Sequence, residues 1–303
     1  MKKNYSSFLK RKKCVIFLFH GVFDKEKFEI INYTNKHISK KKFFLILKQL
    51  SIKGKCISMD KVYETIIKNK DFEDFSFAIS FDDGFYNNYK IAIPILKKFK
   101  FPAIFYLTYN FINKKLTSWT DQVEYIVEKS HSGNIQTSFG KLKFSNNKVS
   151  KIKFIKKIRK NLKKNKYIKP YEFTDKLAKQ LKFVGKYKKL NFSIFKKMSW
   201  SNVKSIHNNR LFNIGGHSKN HNILSHLKSK ELINDITFTI REINKKLKCR
   251  IKHFSYPEGV KGTYGPREIN LLKKNGIKVC PSAEFGINDK TSDLFNLKRI
   301  TVT

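Results

Sequence analysis

The chain has 303 residues, of which 65 are Lys or Arg and 23 are Asp or Glu, so its net charge is +42 at neutral pH. Its length allows one large domain or two small ones, and its 28 phenylalanines can fill a core without disulfide support. Only seven of the basic residues are arginine, which nucleic-acid readers favour for bidentate contacts, so the composition argues against a nucleic-acid partner.

Short apolar runs alternate with segments of helical period along most of the chain. Continuous runs of this kind are typical of buried parallel strands, and they cover Cys14–Phe19, Phe77–Phe81, Ala103–Leu107, Leu211–Ile214, Phe254–Tyr256 and Ile277–Cys280. The helical segments between them are Lys40–Leu50, Asp60–Lys68, Tyr89–Phe99, Ser229–Leu247 and Pro266–Lys274. The alternation predicts an α/β fold with a parallel sheet, open or closed into a barrel, whose reactive groups follow the carboxyl ends of strands.

Residues from about 110 to 198 interrupt this alternation with lysine-rich helical segments and an apparent hairpin, Ile135–Phe144, around Gly140. We interpret them as an insertion, of the kind that can form a lid, within a single domain of residues 1–303. Trp119 and Asp121 of this insertion could contact a sugar, but the favoured role for the tryptophan is to anchor the insertion to the barrel.

The location of the protein is predicted from its apolar runs and cysteines. The basic start is followed by the apolar run Cys14–Phe19, but His20 ends that run short of the roughly 7–15 residues of a signal peptide. A membrane span would need about 20 apolar residues. We therefore expect a cytoplasmic protein with reduced cysteines, whose lysines form either a solvated surface or a peripheral contact with the anionic inner membrane face.

Two adjacent carboxylates, Asp82 and Asp83, directly follow the predicted strand Phe77–Phe81 and precede Gly84. Adjacent side chains on an extended backbone diverge, so one aspartate can bind a metal while the other handles a proton. An Asp-Gly turn with helix-capping carboxylates is the structural alternative.

Two histidines, His217 and His221, follow the predicted strand Leu211–Ile214. On a helical turn they would share one face, and imidazole nitrogen suits zinc and other late divalent ions. With one carboxylate they would provide three ligands and leave a position open for water. Chance spacing is the alternative, but both motifs lie at strand ends of one βα chain.

The segment Phe254–Gly259 lies at a third strand end and contains Pro257 and Glu258. A turn of this kind can direct the backbone N–H of Glu258 toward a developing oxyanion.

These three motifs, preceded by Leu18-Phe19-His20-Gly21-Val22, resemble those of polysaccharide deacetylases of the NodB-homology type, carbohydrate esterase family four. The third motif is similar to that of the branch with Phe-Ala-Tyr-Pro-x-Gly. The resemblance spans most of the chain outside the insertion, through Leu297–Ile300. It implies a distorted (β/α)7 barrel that removes an N-acetyl group from an amino sugar of a carbohydrate.

By this resemblance Asp82 is the general base, and Asp83, His217 and His221 are the ligands of a divalent metal, for which we expect zinc, with nickel or cobalt as alternatives. The chain departs from the family at two points. Ser255 stands where many members have the arginine that orients the catalytic aspartate, and no histidine follows His253 to act as general acid.

Two residues are candidates to fill these gaps. Arg299, on a predicted last strand, could restore the cation beside Asp82, or else face the surface or a helix. His20, at the end of the first strand, could act as the acid, because its pKa is ordinarily near neutrality, although a hydrogen-bonded structural histidine at the barrel mouth is the favoured alternative. A catalytically silent carbohydrate- or surface-binding protein is the rival interpretation, and deformylation or O-deacetylation would use the same centre.

Overall fold

Residues 4–303 are described by a computed structural model, and this part of the chain contains ten strands and ten α-helices. The strands are β1 Cys14–Phe19, β2 Gly21–Phe23, β3 His37–Ser39, β4 Lys55–Cys56, β5 Ser76–Phe81, β6 Ala103–Leu107, β7 Gly133–Thr137, β8 Gly140–Phe144, β9 Phe212–Gly216 and β10 Arg299–Thr301. The α-helices are α1 Lys40–Lys53, α2 Met59–Ile67, α3 Ile93–Phe99, α4 Tyr109–Asn113, α5 Trp119–Lys129, α6 Lys148–Lys164, α7 Pro170–Gln180, α8 Trp200–His207, α9 Ser229–Leu247 and α10 Pro266–Lys274.

The central sheet is parallel throughout, in the order β10-β1-β5-β6-β9, with β4 beside the start of β5. Single parallel bridges continue it past β9, and they join Gly216 to Phe254, His253 to Val279, and Pro281 to Leu297, just before β10. The path thus returns to its starting edge through seven segments. The predicted α/β architecture, a distorted (β/α)7 barrel, is confirmed.

Two of the six predicted strands, Phe254–Tyr256 and Ile277–Cys280, are present only as these bridged segments. The carbonyl of Ser255 lies 2.7 Å from Nδ1 of His217. Pro281 has no N–H to donate to a ladder. The Ser255 carbonyl thus contacts a side chain of the site described below, and the two segments make single bridges in place of regular strand pairing.

The strands are buried on both faces, as expected for a parallel sheet. Alternate residues of β1, β5 and β6 pack outward against the helices, where Phe81 stacks on Phe19 at 5.3 Å and on Phe105 at 5.0 Å between ring centroids. The intervening residues, such as Ile16 and Ala78, fill a second cluster with side chains of α2. This period-two alternation fixes which residues at the strand ends face the barrel mouth.

The predicted helices are confirmed, except that Tyr89–Phe99 divides into a π-helical turn, Asn88–Ala92, and α3. α1 and α2 begin where the side chains of Ser39 and Ser58 accept hydrogen bonds from backbone N–H groups in the first turn. Within residues 4–303, no helix is both long and apolar enough to span a membrane.

The segment predicted as an insertion contains α4 to α7 and the β7–β8 hairpin, which turns at Gly140 with φ 107°. The apolar side chains of α5 to α7 and of the hairpin form a hydrophobic cluster separate from the barrel core, in which Ile112 of α4 packs. The carboxylates of Glu124 and Glu128, on α5, accept hydrogen bonds from backbone N–H groups of residues 29–32. These contacts with the barrel support our proposal that the chain is one domain with an insertion.

Candidate metal centre

The three sequence motifs meet at the carboxyl end of the sheet. Asp82 and Asp83 directly follow β5, His217 directly follows β9, and the Ser255–Gly259 segment follows the bridge at Phe254. Because carboxyl ends of parallel strands share one edge, side chains 130 or more positions apart in the chain become neighbours.

Asp83, His217 and His221 form a compact group of possible metal ligands. Oδ1 of Asp83 lies 3.3 Å from Nε2 of His221 and 3.6 Å from Nε2 of His217, and one ligand atom from each residue lies within 4.8 Å of the others. Within residues 4–303, this buried oxygen of Asp83 has no hydrogen-bond partner. One carboxylate and two imidazoles are the ligand chemistry of zinc and neighbouring ions, so these residues fit a divalent metal.

The surroundings of both histidines suit metal binding. The Ser255 carbonyl, 2.7 Å from Nδ1 of His217, accepts a hydrogen bond from that nitrogen and so directs Nε2 toward the ligand group. Burial lowers the pKa of His221 to about 4, so its ring is neutral near neutral pH. The ring is also stacked on Phe111, at 6.1 Å between centroids.

The Asp83 carboxylate is ionised despite its burial. Burial raises its pKa, but the charge of Lys197 and, at low pH, the charges of the protonated His221 and His20 rings outweigh that effect and hold the pKa well below its ordinary value. The group therefore offers a negative charge to a cation throughout the neutral range.

The backbone of the site is unusual, because four residues that are not glycine have positive φ angles: Asp83 at 75°, Ser218 at 64°, His221 at 59° and Glu258 at 61°. Each such residue costs free energy that the surrounding fold must offset. Residues in this conformation concentrate at functional sites, and here they lie in all three motifs. The strain turns the Asp83 side chain away from its neighbour Asp82, so the two carboxylates have different partners.

Asp82 is paired with Arg299, the residue considered from the sequence as a replacement for the arginine missing at Ser255. Nη1 and Nη2 of Arg299 each donate to one carboxylate oxygen at 2.9 Å, and both side chains are buried. Arg299 is oriented in turn by the Ser282 carbonyl at 2.5 Å and by Oγ of Ser255 at 2.9 Å. Burial raises the pKa of Asp82, but the charges of Arg299 and His217 together lower it by more than burial raises it. The pKa is therefore below its ordinary value, and Asp82 stays ionised.

His20 lies close enough to the two aspartates for their charges to raise the pKa of its ring. Burial has the larger effect, and the net pKa is below the ordinary value. Its Nδ1 is buried without a hydrogen-bond partner among the described residues. The prediction that His20 faces the site fits this environment, and its role as an acid stays a prediction.

Glu258 contributes more than the backbone group singled out from the sequence. Its N–H donates to no other group in the part of the chain that the structure describes. Its side chain forms an ion pair with Lys163 of α6, which joins the insertion to the third motif. Burial raises the pKa of Glu258, but nearby positive charges, chiefly that of Lys163, lower it by more. The net pKa is therefore below its ordinary value.

A cleft of about 280 Å³ opens beside the ligand group. His221 and Glu258 line it on the barrel side, and Trp119 and Tyr171 line it on the insertion side. Trp119 also packs into the hydrophobic cluster of the insertion, which includes Ile30 from outside the insertion, and its contact with a sugar stays a prediction. Asp121 does not line the cleft, because it is fully buried and binds Lys36.

Sequence reasoning missed two residues around the site. Asp235 of α9 accepts hydrogen bonds from the N–H of Lys219 at 2.8 Å and from Asn222 at 3.3 Å, and so fixes the segment that carries both histidines. An acidic residue on the buried face of an otherwise apolar helical stripe was the available signal. Lys197 is buried beside the site, and nothing in its lysine-rich sequence context distinguishes it.

Comparison with known families gives one match. Residues 69–280 match the family described as polysaccharide deacetylase, which is more than half of the chain. No curated protein matches the chain in sequence.

Solved structures that share this architecture include a deacetylase and a de-N-acetylase. The Streptococcus pyogenes deacetylase PplD, solved in complex with acetate, has a TM-score of 0.61 and 14% identity, covering 96% of this chain and 92% of that one. IcaB from Ammonifex degensii has a TM-score of 0.61 and 15% identity, covering 98% and 94%. A de-N-acetylase from Aggregatibacter actinomycetemcomitans has a TM-score of 0.56 and 14% identity, covering 95% and 94%. At sequence identities this low, the structural similarity establishes a shared fold alone.

Proposed function

The chain belongs to the polysaccharide deacetylase family, and on that premise we propose that it hydrolyses the N-acetyl group of an amino sugar with the help of one divalent ion. The observation that carries the proposal is the convergence of Asp83, His217 and His221, with the buried Asp83 oxygen left unpartnered within residues 4–303. Zinc is the first candidate for the ion, and nickel or cobalt would suit the same ligands. An ion held there would polarise the amide carbonyl and acidify water.

The residues around the ligands have separate tasks in the proposed reaction. Asp82, ionised and oriented by Arg299, takes a proton from the attacking water as its oxygen bonds to the carbonyl carbon. The backbone N–H of Glu258 donates to the oxygen on which negative charge develops. A proton passes to the nitrogen as the carbon–nitrogen bond breaks, giving acetate and a free amine, and His20 in its protonated form is the candidate donor.

We propose that the sugar binds in the cleft between the insertion and the barrel. His221 belongs to both the ligand group and the cleft wall, so a sugar there can present its acyl group to the ligands. Trp119 and Tyr171 offer apolar rings for the sugar faces, and Glu258 offers a carboxylate to the hydroxyl groups.

One observation supports an enzyme over the silent binding protein. The arginine that the third motif lacks is replaced in space by Arg299, which makes a bidentate contact with Asp82. A protein that only binds sugars has no need of an ionised, oriented carboxylate beside a ligand group. Removal of formyl groups or O-acetyl groups is compatible with the same centre and is decided by the substrate screen below.

The proposal is tested by replacing the two aspartates separately. Wild type, Asp82→Asn and Asp83→Asn are compared for acetate release from acetylated amino sugars and their oligosaccharides, with formylated and O-acetylated sugars in the same screen. Asp82→Asn should retain metal and lose about 10²–10⁴-fold in turnover, the usual contribution of a general base. Asp83→Asn should bind metal weakly and regain part of its activity when excess metal is added.

The binding-protein interpretation makes a different prediction for the same three proteins. If wild type releases no acyl group from any sugar yet binds sugars as tightly as both variants, the enzymatic proposal is wrong.

A further inference from the structure

Lys197 has a buried ammonium group in the wall of the candidate metal centre. Its side chain is 1% exposed, and within residues 4–303 its Nζ has no hydrogen-bond partner. The ammonium lies over two aromatic rings, 3.3 Å from the centroid of Phe85 and 4.6 Å from that of Phe111. Cation–π contacts compensate only part of the cost of removing an ammonium group from water.

The nearest carboxylate does not neutralise this charge. Oδ2 of Asp121 lies 3.9 Å from Nζ of Lys197, while the other oxygen, Oδ1, forms an ion pair with Lys36. Two lysines thus share the Asp121 carboxylate, and the charge of Asp83 also acts on both of them. Burial is the main reason that the pKa of Lys197 is lowered to about 8. The charges of Asp121 and Asp83 raise this pKa and oppose the effect of burial, whereas the charge of Lys36 lowers it. The ammonium form is therefore retained at neutral pH.

The backbone holds Lys197 in this position. It forms an antiparallel bridge with Phe85, two residues after Asp83, and the N–H of Met198 donates to the Gly84 carbonyl at 3.1 Å. Phe111, under the ammonium, also stacks on His221. The charge is therefore fixed next to the segment that carries Asp83, and it contributes to the low pKa of that carboxyl group.

We propose that Lys197 is a positioning residue that acts on the reaction through its charge. Its fixed ammonium group favours the negative charge that develops on the substrate. The proposal rests on the function proposed above. A preorganised charge in a buried site stabilises a developing oxyanion without further reorganisation. The same charge repels a divalent cation at Asp83, His217 and His221, so Lys197 weakens metal binding while it accelerates turnover.

These opposite effects distinguish the proposal from a purely structural ion pair. Lys197→Met removes the charge but keeps the apolar length between the two rings, and Asp121 retains Lys36. The full chain, stripped with a chelator, is titrated with zinc and with cobalt by calorimetry, and its turnover is then measured on the acetylated sugar that wild type cleaves. We expect metal binding about tenfold tighter and kcat about tenfold lower, with little change in KM, as for one unit charge acting across roughly 10 Å at an effective dielectric constant of about 20.

Lys196→Met is the matched control, because it removes the neighbouring lysine, whose ammonium lies over Tyr86 at 4.7 Å. It should match wild type in both measurements. Lys197→Gln, which removes the charge but keeps a polar donor, should behave like Lys197→Met, and unfolding midpoints at or above that of wild type confirm that all variants fold.

Metal affinity in Lys197→Met that equals or falls below that of wild type would overturn the inference, and so would Lys197→Gln behaving like wild type. Failure of wild type to bind any metal would overturn the proposed function as well. The two failures are therefore separable.

Discussion

Arg299 is the residue on which the state of Asp82 depends most directly. Its guanidinium donates to both carboxylate oxygens, to the Ser282 carbonyl and to the Ser255 hydroxyl, all within the buried interior. A planar fork of this kind fixes the direction of a carboxylate as well as its charge, which a lysine cannot do.

Arg299→Lys should therefore retain the positive charge and lose the orientation. We expect kcat/KM to fall by about 10- to 100-fold, because a misdirected base is a poor one. The free energy of unfolding should fall by about 1–3 kcal/mol, since buried acceptors are left without donors. Kinetics and denaturant unfolding measure both effects, and Arg267→Lys, at a partly exposed pair with Glu268, is the control. Unchanged kinetics in Arg299→Lys would contradict the role assigned to the arginine.

Individual site residues differ in how far the sequence predicts them. Asp83, His217 and His221 were predicted because each follows a strand in a short motif, and the fold brings strand ends together. The replacement of the missing arginine by Arg299 was predicted only as one alternative, since its side-chain direction depends on the register of β10 with β1. Lys197 and Asp235 could not be predicted, because their importance comes from burial against residues distant in the sequence.

At the scale of elements, the contact between α6 and the third motif connects the insertion to the catalytic side of the barrel. Lys163 on α6 and Glu258 form a partly exposed ion pair that lies beside the cleft. Helical period predicted lysine-rich helices here, but a solvated face and a docking face look alike in such a sequence. Only the packed structure separates Lys163 from the lysines around it.

Lys163→Met should loosen this wall of the cleft without unfolding the protein. We expect KM for the acetylated sugar to rise by about fivefold, equivalent to about 1 kcal/mol, with kcat and the unfolding midpoint nearly unchanged. Lys164→Met alters the next residue of α6, which is exposed, and should have no effect on KM. Equal effects of the two substitutions would mean that general charge, and not the contact with Glu258, is responsible.

At the scale of the whole molecule, the net charge of +42 is the dominant electrostatic property. A lysine-based surface attracts anionic membranes at long range, and salt screens the attraction over about 10 Å at 0.1 M ionic strength. A cytoplasmic location next to the inner membrane face stays a prediction on this ground.

Binding to phosphatidylserine-containing vesicles should therefore be strong at low salt and be lost when salt is raised to about 0.5 M, where the screening length is only a few ångströms. Co-sedimentation measures this, with neutral phosphatidylcholine vesicles as the control. Binding that persists at high salt, or that is equal on neutral vesicles, would show that the lysines are not its cause.

The central claim is that acetate release depends on one divalent ion held by Asp83, His217 and His221. The most direct measurement is to strip the full-length chain with a chelator, return zinc in steps, and record both bound zinc and acetate release from an acetylated amino-sugar oligosaccharide. We predict that activity rises in proportion to bound zinc and saturates near one ion per chain, while His217→Ala and His221→Ala neither bind the ion nor regain activity. Full activity in the stripped protein, or no acetate release at full occupancy, would contradict the account.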